Sequence, residues 1–139
     1  MRGGRRLADA GVDESIEKEY LEALARHRRE KGHLAIEAAT HAGRELCKWV
    51  CLQRERWRSG RLDPRLGVRL RKLGLPLEVG DCEWEQAFAR VLRWRRANGR
   101  RQRPGSFGAE WIREQRELRE AGRLRRDRET RLVAARILD

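Results

Sequence analysis

Apolar residues recur every three to four positions along almost the whole chain, the spacing that lines one face of a helix. Ile16, Tyr20, Leu21 and Leu24 share such a face, on a helix expected to begin after Asp13 and to stop at Gly32. A second helix follows Thr40, carries Leu46, Trp49, Val50, Leu52 and Trp57, and ends at Gly60. A third opens on Asp63-Pro64, a cap followed by proline where its missing N–H costs nothing, and closes at Gly74 after Leu66, Leu70 and Leu73. Leu75 to Gly80 reads as a short connector. Three more helices are predicted beyond it. One follows Asp81 with Trp84, Phe88, Val91 and Leu92 and stops at Asn98-Gly99; one follows Ser106 with Trp111, Ile112 and Leu118 and stops at Gly122. The last covers about 126–138, with Leu132, Val133 and Ile137. No stretch alternates with the period of two that marks a half-buried strand, so the expected class is all-α.

The two halves are alike in letters. A shift of 62 positions brings Trp49 onto Trp111, Gln53-Arg54-Glu55 onto Gln115-Arg116-Glu117, Gly60-Arg61-Leu62 onto Gly122-Arg123-Leu124, and Arg69-Leu70 onto Arg131-Leu132. The first helices need a shift of 67, which pairs Gly32 with Gly99, Leu21 with Phe88 and Leu24 with Val91. The expected organisation is a basic flexible tail (1–13), a three-helix repeat (14–75), a linker (76–81) and a second three-helix repeat (82–139).

Trp84, Phe88, Val91, Trp94, Gly99, Pro104, Trp111-Ile112, Gln115-Arg116, Gly122-Arg123-Leu124 and Leu132 stand in an order that resembles the helicase-associated domain family. Members of that family often occur in tandem beside bacterial superfamily 2 helicase motors. The first copy resembles it at Leu21, Leu24, Gly32-His33, Ile36, Leu46, Trp49-Val50, Gln53-Arg54, Gly60-Arg61-Leu62, Leu70 and Leu73-Gly74. Glu17 stands where the family has its first Trp, Glu37 replaces its Pro, Arg103 its Val, and Ala135-Arg136-Ile137-Leu138 lacks the closing Leu-Gly. The resemblance implies two tandem three-helix bundles of Myb-like type and a nucleic-acid-binding role beside a motor.

Composition sharpens that role. The 139 residues carry 34 Lys and Arg against 22 Asp and Glu, a net +12. The excess is uneven: residues 86–139 hold 16 Arg and 7 acids, net +9, while residues 1–85 are near balance at +3. One basic half points to a polyanion. Arg outnumbers Lys by 30 to 4, which GC-rich coding would also produce. Five Trp supply anchors that disordered chains lack. No run approaches the roughly 18 apolar residues of a membrane helix, and the basic start has no apolar core of a secretory signal behind it. Three cysteines without a signal fit reduced thiols and a cytoplasmic setting. Neither a Walker loop nor a Gly-x-Ser-x-Gly elbow occurs, so no enzyme, no cofactor and no small-molecule substrate are expected.

The densest charge runs from Arg90 to Arg103. Arg90, Arg93, Arg95, Arg96, Arg100, Arg101 and Arg103 occur there without one acid, and guanidinium groups bridge phosphate oxygens bidentately. Basic residues also suit a helix C-terminus, but seven in fourteen positions exceed what a dipole calls for. Arg113, Arg116 and Arg119 form a second strip; Arg116 lies about 140° around its helix from Trp111. Glu110, Glu114, Glu117 and Glu120 interleave with it, so ion pairing on a solvated face competes with phosphate contact there. Arg54 is the first-copy counterpart of Arg116. Trp49 and Trp111 read as core anchors rather than stacking platforms, having apolar neighbours on the same face. Trp57 and Trp94 have no counterpart in the other copy and suit a surface or interdomain contact better than those two, with burial still the first expectation for both. Cys47 and Cys51, one turn apart, read as small buried thiols, since four metal ligands do not converge. Glu83 and Glu85, flanking Trp84, make no acid–base pair. DNA is the expected partner, with RNA second and a helicase motor, in this chain or another, third; the rival class is a protein-docking module.

Overall fold

The computed structural model describes the backbone of residues 2–139 and the side chains from Ser15 onward. Six helices follow one another: α1 (Arg2–Lys31), α2 (His41–Arg58), α3 (Pro64–Leu73), α4 (Val79–Asn98), α5 (Phe107–Glu120) and α6 (Arg126–Ala134). No strand occurs among the described residues, so the class is all-α.

Three of the caps read from the sequence, at Thr40, Asp63 and Ser106, are made. Thr40 accepts a hydrogen bond from the Gly43 amide at 2.9 Å, Asp63 from Arg65 at 2.9 Å, and Ser106 from Ala109 at 3.2 Å. Each satisfies one of the amides a helix leaves open at its start. Thr40→Ala and Ser106→Ala are each expected to lose about 1 kcal/mol of stability in urea titrations followed by circular dichroism.

At the far ends the chain turns through the same closure four times. After α3 the Gly74 amide donates to Arg71 and the Leu75 amide to Leu70; after α6 the Arg136 amide donates to Val133 and the Ile137 amide to Leu132. The ends of α2, at Gly60 and Arg61, and of α5, at Gly122 and Arg123, repeat this pattern. It requires one residue in the left-handed region. Glycine takes that place three times, but the fourth is Arg136, at φ 59°.

Three expectations need correction. The first helix does not start after Asp13: α1 begins at Arg2. No proline interrupts residues 2–13; Gly3 and Gly4 fall in the opening turn, and the interior Gly11 weakens a helix by about 1 kcal/mol without ending it. The side chains of the expected basic tail lie outside the described residues. Secondly, α4 starts at Val79, which puts Asp81 inside its first turn, where a carboxylate meets the positive end of the helix dipole. Thirdly, the short connector expected from Leu75 to Gly80 does more than link helices. Leu75 and Leu77 are 3% and 4% exposed and join the core, because the left-handed turn at Gly74 folds the chain back over α3.

Two compact units result, one ending at Ala89 and the other Arg90–Asp139, with the division between them falling within α4. In the first, Leu24, Leu34, Leu46, Val50, Leu66, Leu70, Leu75 and Leu77 form the core, with Tyr20, Trp49 and Trp57 packed on it. Tyr20 and Trp49 stack at 5.0 Å. The start of α4 belongs to this unit through Glu85, a buried carboxylate that accepts the Leu34 amide at 2.7 Å. In the second unit Val91, Trp111, Leu132, Ile137 and Leu138 are buried. Gln53 and Gln115 are buried too, at matching places on α2 and α5.

The same kind of tertiary contact recurs in each unit. Arg28 on α1 donates from Nη1 to the Leu73 carbonyl at 2.7 Å, at the end of α3. Arg95 on α4 donates from Nη1 to the Ala135 carbonyl at 2.6 Å, just past α6, and from Nη2 to Arg136. Each guanidinium meets a helix C-terminus, where unpaired carbonyls gather negative charge. The φ of 86° favours glycine at position 74, and a Cβ there would also displace the end of the Arg28 side chain.

Candidate nucleic-acid interface

Most arginines singled out in the sequence lie on the second unit, and the structure sorts them by what they touch. Arg100, Arg116, Arg95 and Arg136 surround a cleft of about 250 Å³, floored by Ala109, Ile112 and Ile137. Gln102 completes its lining, and no acidic side chain borders it among the described residues. Four cations held together repel one another. Arg95 accordingly sits below the ordinary guanidinium pKa, first because burial opposes its charge and then because Arg100 lies close. An anion entering the cleft would relieve that repulsion.

A second cleft of about 410 Å³ is lined by Arg90, Arg93, Trp94, Gln102 and Phe107 among others. Arg90 lies 4.0 Å above the Phe107 ring, and Arg103 is 5.5 Å from the Trp94 ring centre. Both are cation–π contacts. The Trp94 indole donates to the Arg101 carbonyl at 3.4 Å, which holds the ring against the loop after α4. Phe107 is 41% exposed although it is an aromatic residue at the first position of α5.

The remaining arginines are engaged or outlying. Arg113 pairs with Glu110 one turn away, so on that strip the ion-pairing alternative holds at this position. Arg119 donates to the Asp139 carbonyl at 2.8 Å. Arg54, half-buried in the first unit, donates from Nε to the Pro76 carbonyl at 2.9 Å and holds the Leu75–Leu77 return in place. Arg93, Arg96 and Arg101 are exposed.

Trp111 is buried and Trp49 packs on the core, as expected of anchors. Trp57 also packs on the first core, whereas Trp94 borders a cleft. Cys51 is exposed, not buried, because it falls on the outer face of α2; Cys47 and Cys82 are half-buried. Burial raises the Cys82 thiol pKa. No group of three or more His, Cys, Asp or Glu is placed to hold a metal among the described residues. Nor is any helix among them long and apolar enough to cross a membrane.

Sequence reasoning missed Arg136, Arg95 as a helix-end ligand, Gln102 and the buried glutamines. Gln53 had a signal. It follows Leu46 and Val50 at seven and three positions, on the apolar face.

Residues 18–77 match the family model of the helicase associated domain. That stretch is a helicase associated domain. Its match ends on Leu77, the last leucine of the first core. No curated protein and no solved structure matches the chain. A helicase associated domain is an accessory module and not a catalytic motor. In this one the family's Gln-Arg pair takes two roles: Gln53 fills the core and Arg54 fastens the returning chain.

Proposed function

We propose that the chain is a tandem of two helicase-associated three-helix repeats, 14–75 and 82–139, and that the second grips the phosphate backbone of nucleic acid. Three recurrences support the tandem reading. Arg28 and Arg95 bind equivalent helix ends, Gln53 and Gln115 are both buried, and Gly74 and Arg136 share a left-handed conformation. The observation that carries the binding reading is the cleft ringed by Arg95, Arg100, Arg116 and Arg136. Arg136 is the telling member. A non-glycine residue in the left-handed region costs roughly 1–2 kcal/mol, yet here it adds a cation to the cleft.

Phosphate contacts carry no sequence information, so the module is a non-specific grip, with DNA the first partner and RNA the second. Fluorescence anisotropy on labelled single-stranded and duplex DNA and RNA over a salt series tests it. Affinity should fall linearly on logarithmic axes, with a slope of about −0.9 per neutralised phosphate for duplex and about −0.7 for single strands. Arg100→Glu combined with Arg116→Glu should weaken binding by about tenfold or more and flatten the slope by about two phosphates' worth. Absence of binding to every nucleic acid at low salt would turn the assignment to the rival class, docking of a motor or partner protein.

A further inference from the structure

Gln102 borders both clefts of the second unit. Its side chain lies against Gly108, where any Cβ would run into the amide. Its Nε2 is buried and has no hydrogen-bond partner among the described residues. Buried donors are almost always satisfied, and this amide can gain an acceptor by turning into one of the two clefts it borders. On one side of it stand four arginines and no acid; on the other stand two aromatic rings, Trp94 and Phe107, each with a guanidinium over it. Cationic and aromatic surfaces in alternation suit a ligand that is itself anionic at one end and flat at the other.

We infer that the paired clefts take one nucleotide unit of an unpaired strand. Its phosphate lies among Arg95, Arg100, Arg116 and Arg136, its base beside Phe107 and Trp94, and a base acceptor meets the Gln102 amide once that amide turns into the cleft. This rests on the nucleic-acid reading above and narrows it. A base inside a duplex has both faces stacked and its edge paired, and could reach the aromatic cleft only by leaving the stack. An unpaired base is free to stack on aromatic rings and guanidinium planes, with little dependence on which base it is. The exposure of Phe107 fits the same use, since a ring kept for core packing would not face water.

The test uses the full chain and four labelled probes of equal length: oligo-dT, oligo-U, an abasic deoxyribose-phosphate strand, and a blunt DNA duplex. Oligo-dT and oligo-U are expected to bind about tenfold tighter than the abasic strand, which keeps every phosphate and lacks the bases. Phe107→Ala should bring oligo-dT down to the abasic level with an unchanged salt slope, and Phe107→Tyr should restore it. Gln102→Met should weaken oligo-dT and leave the abasic strand unaffected. Because Phe107 is exposed, loss of fold is not expected; unchanged circular dichroism checks that. Equal affinity for oligo-dT and the abasic strand would overturn the inference while phosphate binding stands. So would a Phe107→Ala variant that loses duplex and single strand alike. Failure of all four probes to bind would remove the nucleic-acid reading itself.

Discussion

Leu132→Ala is expected to destabilise the protein by about 2–5 kcal/mol, the largest effect of any single change considered. Leu132 is fully buried, and its carbonyl accepts the Ile137 amide at 2.9 Å, so side chain and backbone both tie the end of α6 to the returning chain. Truncation leaves a cavity where the surroundings cannot fully collapse, and the loss exceeds the transfer energy of the missing carbons. Leu70→Ala should cost the same order, since Leu70 is equally buried and accepts the Leu75 amide in the same closure. Val133→Ala supplies the contrast. Val133 is 43% exposed, one position from Leu132, and its truncation should stay within about 0.5 kcal/mol. Urea midpoints read at constant slope separate the three, because a changed slope would report an altered denatured or native ensemble instead.

The second large effect concerns Arg95. Arg95→Met keeps the length of the side chain and removes its donors, which leaves the Ala135 and Arg136 carbonyls without them. Hydrogen bonds to charged groups contribute roughly 1.5–3 kcal/mol, and water reaches part of this guanidinium, so the lower end, about 1.5 kcal/mol, is expected. Relief of repulsion with Arg100 offsets some of it. Arg95→Lys should recover part of the loss, because one ammonium cannot serve two carbonyls as a planar fork does. Arg28→Met makes the parallel test, with a similar loss of stability. The two differ in binding: Arg95 lines the arginine cleft, whereas Arg28 belongs to the first unit, so only Arg95→Met should also weaken nucleic acid.

What could be read in advance was what local chemistry decides. Thr40, Asp63-Pro64 and Ser106 announce helix starts, because a short polar side chain before an apolar face has one economical use. Gly60, Gly74 and Gly122 announce stops for the matching reason. Leu70 and Leu132 were legible as core from periodicity. The arginines were not legible one by one. Arg28 and Arg95 look like any basic residue near a helix C-terminus, yet each reaches a carbonyl 45 or 40 positions away along the chain. No period carries such a pairing. Glu85 was read only against Glu83, while its real partner, the Leu34 amide, is 51 positions distant. The charge of the Arg90–Arg103 stretch was plain, but its division into two clefts depends on Gln102, a residue with no charge to draw the eye.

The buried return after Gly74 bears on how the first domain can be excised. A fragment ended at the last residue of α3 would look complete by its helices, yet it would omit Leu75 and Leu77 and expose the hollow they fill. It would also strip Arg54 of its carbonyl acceptor at Pro76. Such a piece invites aggregation through a fresh apolar patch. The workable cut lies beyond Leu77, and it still forfeits the carboxylate that Glu85 extends to Leu34. The first module therefore does not coincide with its helices: residues of the segment that follows α3 complete it.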